Sequence, residues 1–248
     1  MTVSTFYSAV GTGGDSVDGT VGRLNVDETF SNIRGGAGTF VTESSTVIWG
    51  AMIRASTTTN QFDRMVRSIF TFPTSSLPDD DVIDSAVFSI IDFGDSSGLG
   101  SNEIGIVAST PASDNALVVA DYSQLGTTDF ATRISNASWT GQTYKDFTLN
   151  ASGLANISKT GVSKFGTRLG WDIDNSFGGI WASGATTTFD TKFADTTGTA
   201  SDPKLVVTHS EPPSGPANLS KYMNIAKANI SKIDSVAIAN ISKVNSVE

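Results

Sequence analysis

Cysteine is absent from the 248 residues. Disulfides and thiolate metal sites are therefore excluded, and the fold stands on packing and hydrogen bonding alone. Histidine occurs once, at His209. A histidine-rich metal centre is excluded with it, and any Ser-His-Asp relay has to use that one residue. Because His209 follows a strand-like run and precedes a proline-rich segment, it is expected to be solvated. Charged residues make up only 17% of the chain, against roughly 25% in an average soluble domain. Ser, Thr, Asn and Gly take their place, which favours strands joined by tight turns over long exposed helices. No run approaches the ~18 apolar residues of a membrane span. The start, Met1 to Tyr7, has neither the basic nor the apolar character of a signal peptide. Positive charge is in deficit, with 16 Lys and Arg against 25 Asp and Glu and a net charge of -9. A field of that sign repels phosphate backbones, so no nucleic-acid partner is expected.

What is present reads as β structure. Gly and Thr crowd the first 40 residues, with turn signals at Gly11 to Asp15 and Gly35 to Gly38. Strand-like runs follow at Thr46 to Arg54, Arg64 to Phe72, Ala86 to Phe93, Glu103 to Ala108, Ala116 to Ala120 and Lys145 to Leu149. In Lys164 to Asp172 the alternation sets Phe165, Leu169 and Trp171 on one face, with Lys164, Arg168 and Asp172 on the other. Lys204 to His209 closes the series. One short helix is expected near Leu154 and Ile157, capped by Asn150 or Ser152 and stopped by Gly161. Many short strands at this spacing indicate an all-β fold, a jelly roll or β-sandwich, over residues 1–210. Pro212, Pro213 and Pro216 mark residues 211–216 as a linker.

Residues 217–248 form a repeat. Asn-(Leu/Ile)-Ser-Lys recurs at Asn218, Asn229 and Asn240, a period of eleven. Apolar residues fall three apart as Leu219, Tyr222, Ile225; then Ile230, Ile233, Val236; then Ile241, Val244, Val247. That spacing suits one face of a helix, yet Ile, Val, Asn, Ser and Asp are mediocre helix formers. Short strands with turns at Asp234-Ser235 and Asn245-Ser246 fit equally well. Either way the apolar stripe needs a partner, and the nine residues are read as assembly contacts, with a homo-oligomer, a trimer within that class, as the expected form.

Candidate chemistry is sparse, and no catalytic residue is assigned. Asp15 with Asp18, and Asp172 with Asp174, are spaced so that oxygens can converge on one cation such as a structural calcium, and Asp79 to Asp81 read as a hydrated turn before a strand. Hydrated turns account for the same carboxylates, and no metal ligand is assigned. Among the tryptophans, Trp49 and Trp171 lie in strand-like runs and read as core. Trp139 and Trp181 lie in polar loop sequence and are the candidates for stacking on a sugar ring.

Several stretches taken together resemble a family. They are RSIFTFPTSSLPDDDVIDSAVFSI (67–90), STPASDNALVVADYSQLGTTDF (109–130), YKDFTLNASGLANISKTGVSKFGTRLGWDID (144–174) and FADTTGTASDPKLVVTH (193–209). They resemble the DNRLRE-type domain, a β-sandwich module of bacterial surface proteins and of phage sequences. Arg67, Phe72, Ser75, Leu77 and Pro78 match the first part of its pattern, and Asp202 to Val207 the last. Pro73 departs from it, standing where the family usually has Asp. The repeated tail looks like segments of phage structural proteins. The resemblance implies a scaffold or adhesive module and carries no catalytic residues or cofactor. It makes a virion protein the leading expectation: a head decoration, fibre or tail-appendage subunit, assembled with itself and other virion proteins. The second expectation is a carbohydrate-binding or adhesive module at a bacterial cell surface.

Overall fold

The β-branched and aromatic residues of the apolar runs do form strands, and the twelve strands of the main body make one sheet. The computed structural model describes residues 1–9, 14–43, 47–194 and 198–212, with the backbone of 221–222, 225–226, 232–233 and 236–237. The strands are β1 (Thr2–Tyr7), β2 (Asp18–Glu28), β3 (Phe40–Thr42), β4 (Val47–Ala55), β5 (Phe62–Pro73), β6 (Val82–Ser97), β7 (Glu103–Ala108), β8 (Ile134–Ser135), β9 (Tyr144–Thr148), β10 (Val162–Leu169), β11 (Thr186–Lys192) and β12 (Lys204–Ser210). Three short helices interrupt them: α1 (Phe30–Gly35), α2 (Ala151–Ala155) and α3 (Gly170–Ile173).

The sheet runs β1-β12-β6-β11-β4-β5-β10-β7-β8, with β2 also on β5, β3 on β2 and β9 on β6. Every pairing is antiparallel. Strand β6 makes the sheet curl. Its first half, Val82 to Ser89, pairs with β12, and its second half, Asp92 to Ser97, pairs with β11. A long strand that changes partners carries the sheet from one layer to the other, and the result is a curled half-barrel of the broad β-sandwich kind.

The concave space is filled mainly by phenylalanine. Phe70 and Phe72 of β5 and Phe165 of β10 meet Phe88 of β6 at ring-centre distances of 5.4, 5.6 and 5.8 Å. Phe147 of β9 stands directly across from Phe88. Most of these pairs are edge-on or tilted, the arrangement the ring quadrupole favours. Strand β12 alternates cleanly, with Leu205, Val207 and His209 buried between half-buried neighbours. The α2 helix starts as expected: the Asn150 side chain accepts from the Ser152 and Gly153 amides. It ends at Ala155, well short of Gly161.

Three readings of the body need correction. Residues 116–120 are not a strand; Val119–Ser123 is a 3-10 turn. The Asp121 carboxylate accepts from the Val118 and Ala112 amides and folds the segment on itself, leaving Val118 and Val119 exposed. Strand β10 ends at Leu169, and Trp171 and Asp172 lie in the α3 turn. His209 is buried, at 3% exposure, rather than solvated.

In the C-terminal repeat, Lys221–Tyr222 (β13) pairs antiparallel with Ile225–Ala226 (β14), and Lys232–Ile233 (β15) with Val236–Ala237 (β16). Tyr222 faces Ile225 and Ile233 faces Val236 in the ladder. Both described copies therefore take the strand alternative, with the same register one period apart. Leu219, Ile230, Ile241, Val244 and Val247 lie outside the described residues, as do positions 213–216 of the proline-rich segment.

Candidate functional site

The α3 turn organises two neighbourhoods, because its residues Trp171 and Asp172 point apart. Asp172 is 1% exposed and is held by two arginines. Arg67 donates to Oδ2 from Nε at 2.7 Å and to Oδ1 from Nη2 at 2.8 Å. Arg168 does the same from its Nε at 2.8 Å and its Nη2 at 2.7 Å. Burial alone pushes the Asp172 carboxyl up; the Arg67 charge and the hydrogen bonds from Arg168 and Arg67 outweigh it and hold the group at about 2. Two fork-shaped pairings on one carboxylate fix the turn in direction as well as position. The alternation set Arg168 and Asp172 on the face opposite Phe165 and Leu169, and the two pair there inside the protein.

Trp171 faces outward from the same turn. Its ring packs edge-on against Phe177 at 4.9 Å, and Phe177 packs on Phe62 and Phe30. Gly179 lies so close that a Cβ there would stand 2.7 Å from the ring and 2.3 Å from the Leu99 carbonyl. Gly179 in Phe177-Gly178-Gly179 is thus a steric requirement for covering one side of the indole.

The other side borders a pocket of about 340 Å³, lined by Asn102, Glu103, Arg133, Ser135, Trp171 and Asp174 among others. That volume lies at the lower end of small-molecule sites. Arg133 is clamped between two carboxylates, to Asp129 at 2.8 and 2.9 Å and to Asp174 at 2.6 and 2.8 Å. Those bonds, from Asp174 first and Asp129 second, raise the guanidinium's affinity for its proton, and Asp174 is held below the usual carboxylate range by the same contact. Asn102 is fixed through its Oδ1, which accepts from the Glu103 amide at 2.7 Å, while its buried Nδ2 has no hydrogen-bond partner. An unpaired buried amide costs about 1–3 kcal/mol.

The tryptophans expected to bind a ligand lie elsewhere. Trp139 is 1% exposed, donates its Nε1–H to the Asp190 carbonyl at 2.9 Å and packs edge-on against Phe189 at 5.3 Å. Its ring is covered by protein, which corrects the expectation of a loop platform. Trp181 is half-buried against the core, and its Nε1–H donates to the Gln61 carbonyl at 2.8 Å. Trp171, read as core, is the indole that borders a pocket. The available signal was the pair of glycines eight residues after Gly170-Trp171.

Three of the carboxylates considered for calcium are engaged by the protein's own groups. Asp172 and Asp174 are held by guanidiniums as above, and Asp18 accepts from the Ala194 amide. Among the described residues no group of three or more His, Asp or Glu is placed to hold a metal ion. Among those residues, too, no helix is long and apolar enough to cross a membrane.

His209 sits at the end of the sheet where the first and last strands of the body pair. Its Nδ1 is 2.6 Å from Asp81 Oδ2 and its Nε2 is 3.0 Å from Ser4 Oγ. An ionised carboxylate only accepts, so Nδ1–H donates to Asp81, while Nε2 and the Ser4 hydroxyl share the second hydrogen bond. The order matches a hydrolase relay. Ser4, however, belongs to strand β1 and is not among the residues lining the adjoining 560 Å³ cavity, which opens on Asp81 and His209. The three groups clamp β1, β12 and the 79–81 turn together.

With the geometry in hand, comparison with known protein families finds no match, and comparison with curated proteins finds none either.

Proposed function

We propose that this chain is a non-enzymatic structural protein that displays a β-sandwich and assembles through its C-terminal repeats, as a head decoration, fibre or tail-appendage subunit of a phage virion does. The observation that carries this reading is the pair of hairpins at 221–226 and 232–237, alike in register and one period apart. A ladder of two residues per strand is not stable alone in water; three or more strands, or a packing partner, are needed. Repetition of such a unit supplies matched surfaces for copies of itself, and a trimer is the proposed form. The finer fold class, a jelly roll of the DNRLRE type, belongs to the same proposal and is supported by the pattern of Arg67, Phe72, Leu77-Pro78 and Asp202 to Val207. A virion is the proposed location.

The test is deletion of residues 217–248, followed by light scattering and a particle-attachment assay. Loss of oligomeric mass or of attachment is expected. If the truncated protein keeps both, the assembly reading fails.

One observation favours an adhesive module at a cell surface as the second reading. The Trp171 pocket sets an indole beside the Asp174 carboxylate, which Arg133 holds in place, and that is chemistry suited to a polyol. On a glycan array, binding that disappears in Trp171→Ala, with the fold intact by circular dichroism, supports that reading. Silence of the wild-type protein removes it.

A further inference from the structure

Three guanidinium groups, not two, surround Asp172. Arg34 joins Arg67 and Arg168, with its Nε 3.4 Å from Asp172 Oδ1 and 2.7 Å from the Asp172 carbonyl oxygen. Three positive charges face one negative charge, so the cluster carries an excess of two in a chain whose net charge is -9. The neighbours do not cancel it. Arg23 is paired with Glu28. Burial keeps the Tyr122 phenol protonated, and its O–H donates to the Ile33 carbonyl at 2.7 Å. Asp121 is turned to the amides of its own loop.

The donors are unevenly used. Arg168 directs its N–H groups to Asp172 and to the Leu125 and Gly126 carbonyls. Arg67 spends its own on Asp172 and on the Tyr122 and Arg34 carbonyls, with one Nη1–H to spare. Arg34 donates only from Nε; neither of its Nη atoms bonds to a described residue. Burial first, then repulsion from Arg168 and Arg67, pulls the Arg34 guanidinium below its usual range despite Asp172. A guanidinium in that state gains from any anion brought beside it.

A surface cavity of about 220 Å³ opens at this point, lined by Arg34, Arg67, Arg168, Ser123 and Thr127 among others. It is roughly seven times the ~30 Å³ that one water occupies in the liquid. A bare carboxylate does not fill it; a carboxylate with part of the ring that bears it does. The planar fork of Arg34 matches a carboxylate in two-point fashion, and the exposed Thr127 and Ser123 stand at the rim to meet ring hydroxyls.

We propose that this cavity is a binding site for the carboxylate of an acidic saccharide of the uronic-acid type, gripped by the Nη groups of Arg34. The saccharide as source of the anion rests on the reading of the sandwich as a displayed, ligand-meeting surface; the site itself does not. The experiment is a calorimetric titration of the full-length protein, at low salt, with glucuronate, glucose and inorganic sulfate. Glucuronate is expected to bind and glucose not to. Arg34→Gln is expected to weaken glucuronate by at least about tenfold. Thr127→Glu, at an exposed position, places a negative charge at the mouth and is expected to do the same with an unchanged melting temperature. It keeps the test decisive if Arg34→Gln misfolds. No glucuronate binding, equal binding of glucose, or sulfate binding alone overturns the proposal. Because the titration uses the intact chain whatever its mass, a negative result leaves the tail-assembly reading standing, and a failed tail deletion leaves this site standing.

Discussion

The body and the tail solve the same problem, a strand with unpaired edges, on different scales. In the body, strands of up to 16 residues lie in ladders whose partners are far apart in sequence, such as Thr2 with His209. In the tail, each described strand has two residues and pairs with a strand three residues on. The body's pairings close a phenylalanine core and a buried arginine-aspartate network; each described ladder of the tail joins two short strands. If the tail assembles as proposed, short-range contact repeated at a fixed period supplies a unit that adds to others, whereas the body's long-range contacts hold one chain together.

The sharpest break of that comparison is Asp172→Ala. It leaves three guanidiniums facing one another without a carboxylate, and removing one partner of a buried pair costs about 3–5 kcal/mol. At about 2–4 °C per kcal/mol for a chain of this size, the body's melting temperature is expected to fall by about 10 °C. A fall of under about 2 °C, on the same scale, means the network is not what holds the α3 turn.

A milder form of the same test is acid. The Asp172 carboxyl sits at about 2 in the folded protein against 3.8 ordinarily, so its contribution is present above the ordinary value and is lost as pH falls from about 4 towards 2. The size is about 2 kcal/mol. Asp190, whose carboxyl burial pushes up, titrates with the opposite sign and begins at higher pH. The expected record from urea melts is therefore a shallow change first and a steep loss only below about pH 4. Stability that stays flat to about pH 2 contradicts the assignment.

Trp139→Phe tests the corrected tryptophan. The Asp190 carbonyl loses its indole donor and the core loses volume, for an expected cost of about 1–3 kcal/mol by chemical denaturation. An exposed loop residue would give less than about 0.5 kcal/mol. The smallest effect is reserved for the tail. Deleting residues 217–248 is expected to move the body's own unfolding free energy by less than about 0.5 kcal/mol while changing the protein's mass in solution. A large loss of stability on deletion means that the tail packs on the body and that the two regions are one.

Patterns with a short range and a clear mechanism were legible in the chain. Glu103–Ala108 is the strand its short apolar run announces, and Asn150 caps the helix that starts at Ala151. The eleven-residue period is visible in the letters, and the strand alternative for it came from the poor helix propensity of Ile, Val and Asn. Strands β2 and β11 were not legible, because Gly and Asp in sequences such as DGTVGRLNVDE signal turns as strongly as strands, and the two residues of β8 are too few to carry a period. Neither was the site. Asn102 and Arg133 belong to no motif, and Trp171 looked like the end of an alternating strand.

Composition and periodicity by themselves determined the all-β class, the exclusion of disulfides and thiolate metal sites, and the eleven-residue period near the C-terminal end. Those follow from counts and from neighbours a few residues apart, which a chain carries in any conformation. The tertiary structure alone decided that His209 is buried between Ser4 and Asp81, that Trp139 is core, and that Trp171 borders a pocket. It also brought Arg34, Arg67 and Arg168 onto one carboxylate. The physical reason is distance along the chain: Arg67 and Asp172 are 105 residues apart, and no local rule states which charges a curled sheet will bring together. A buried carboxylate with two forked partners is stable only once the sheet has closed around it, so its charge and its neighbours are properties of the fold.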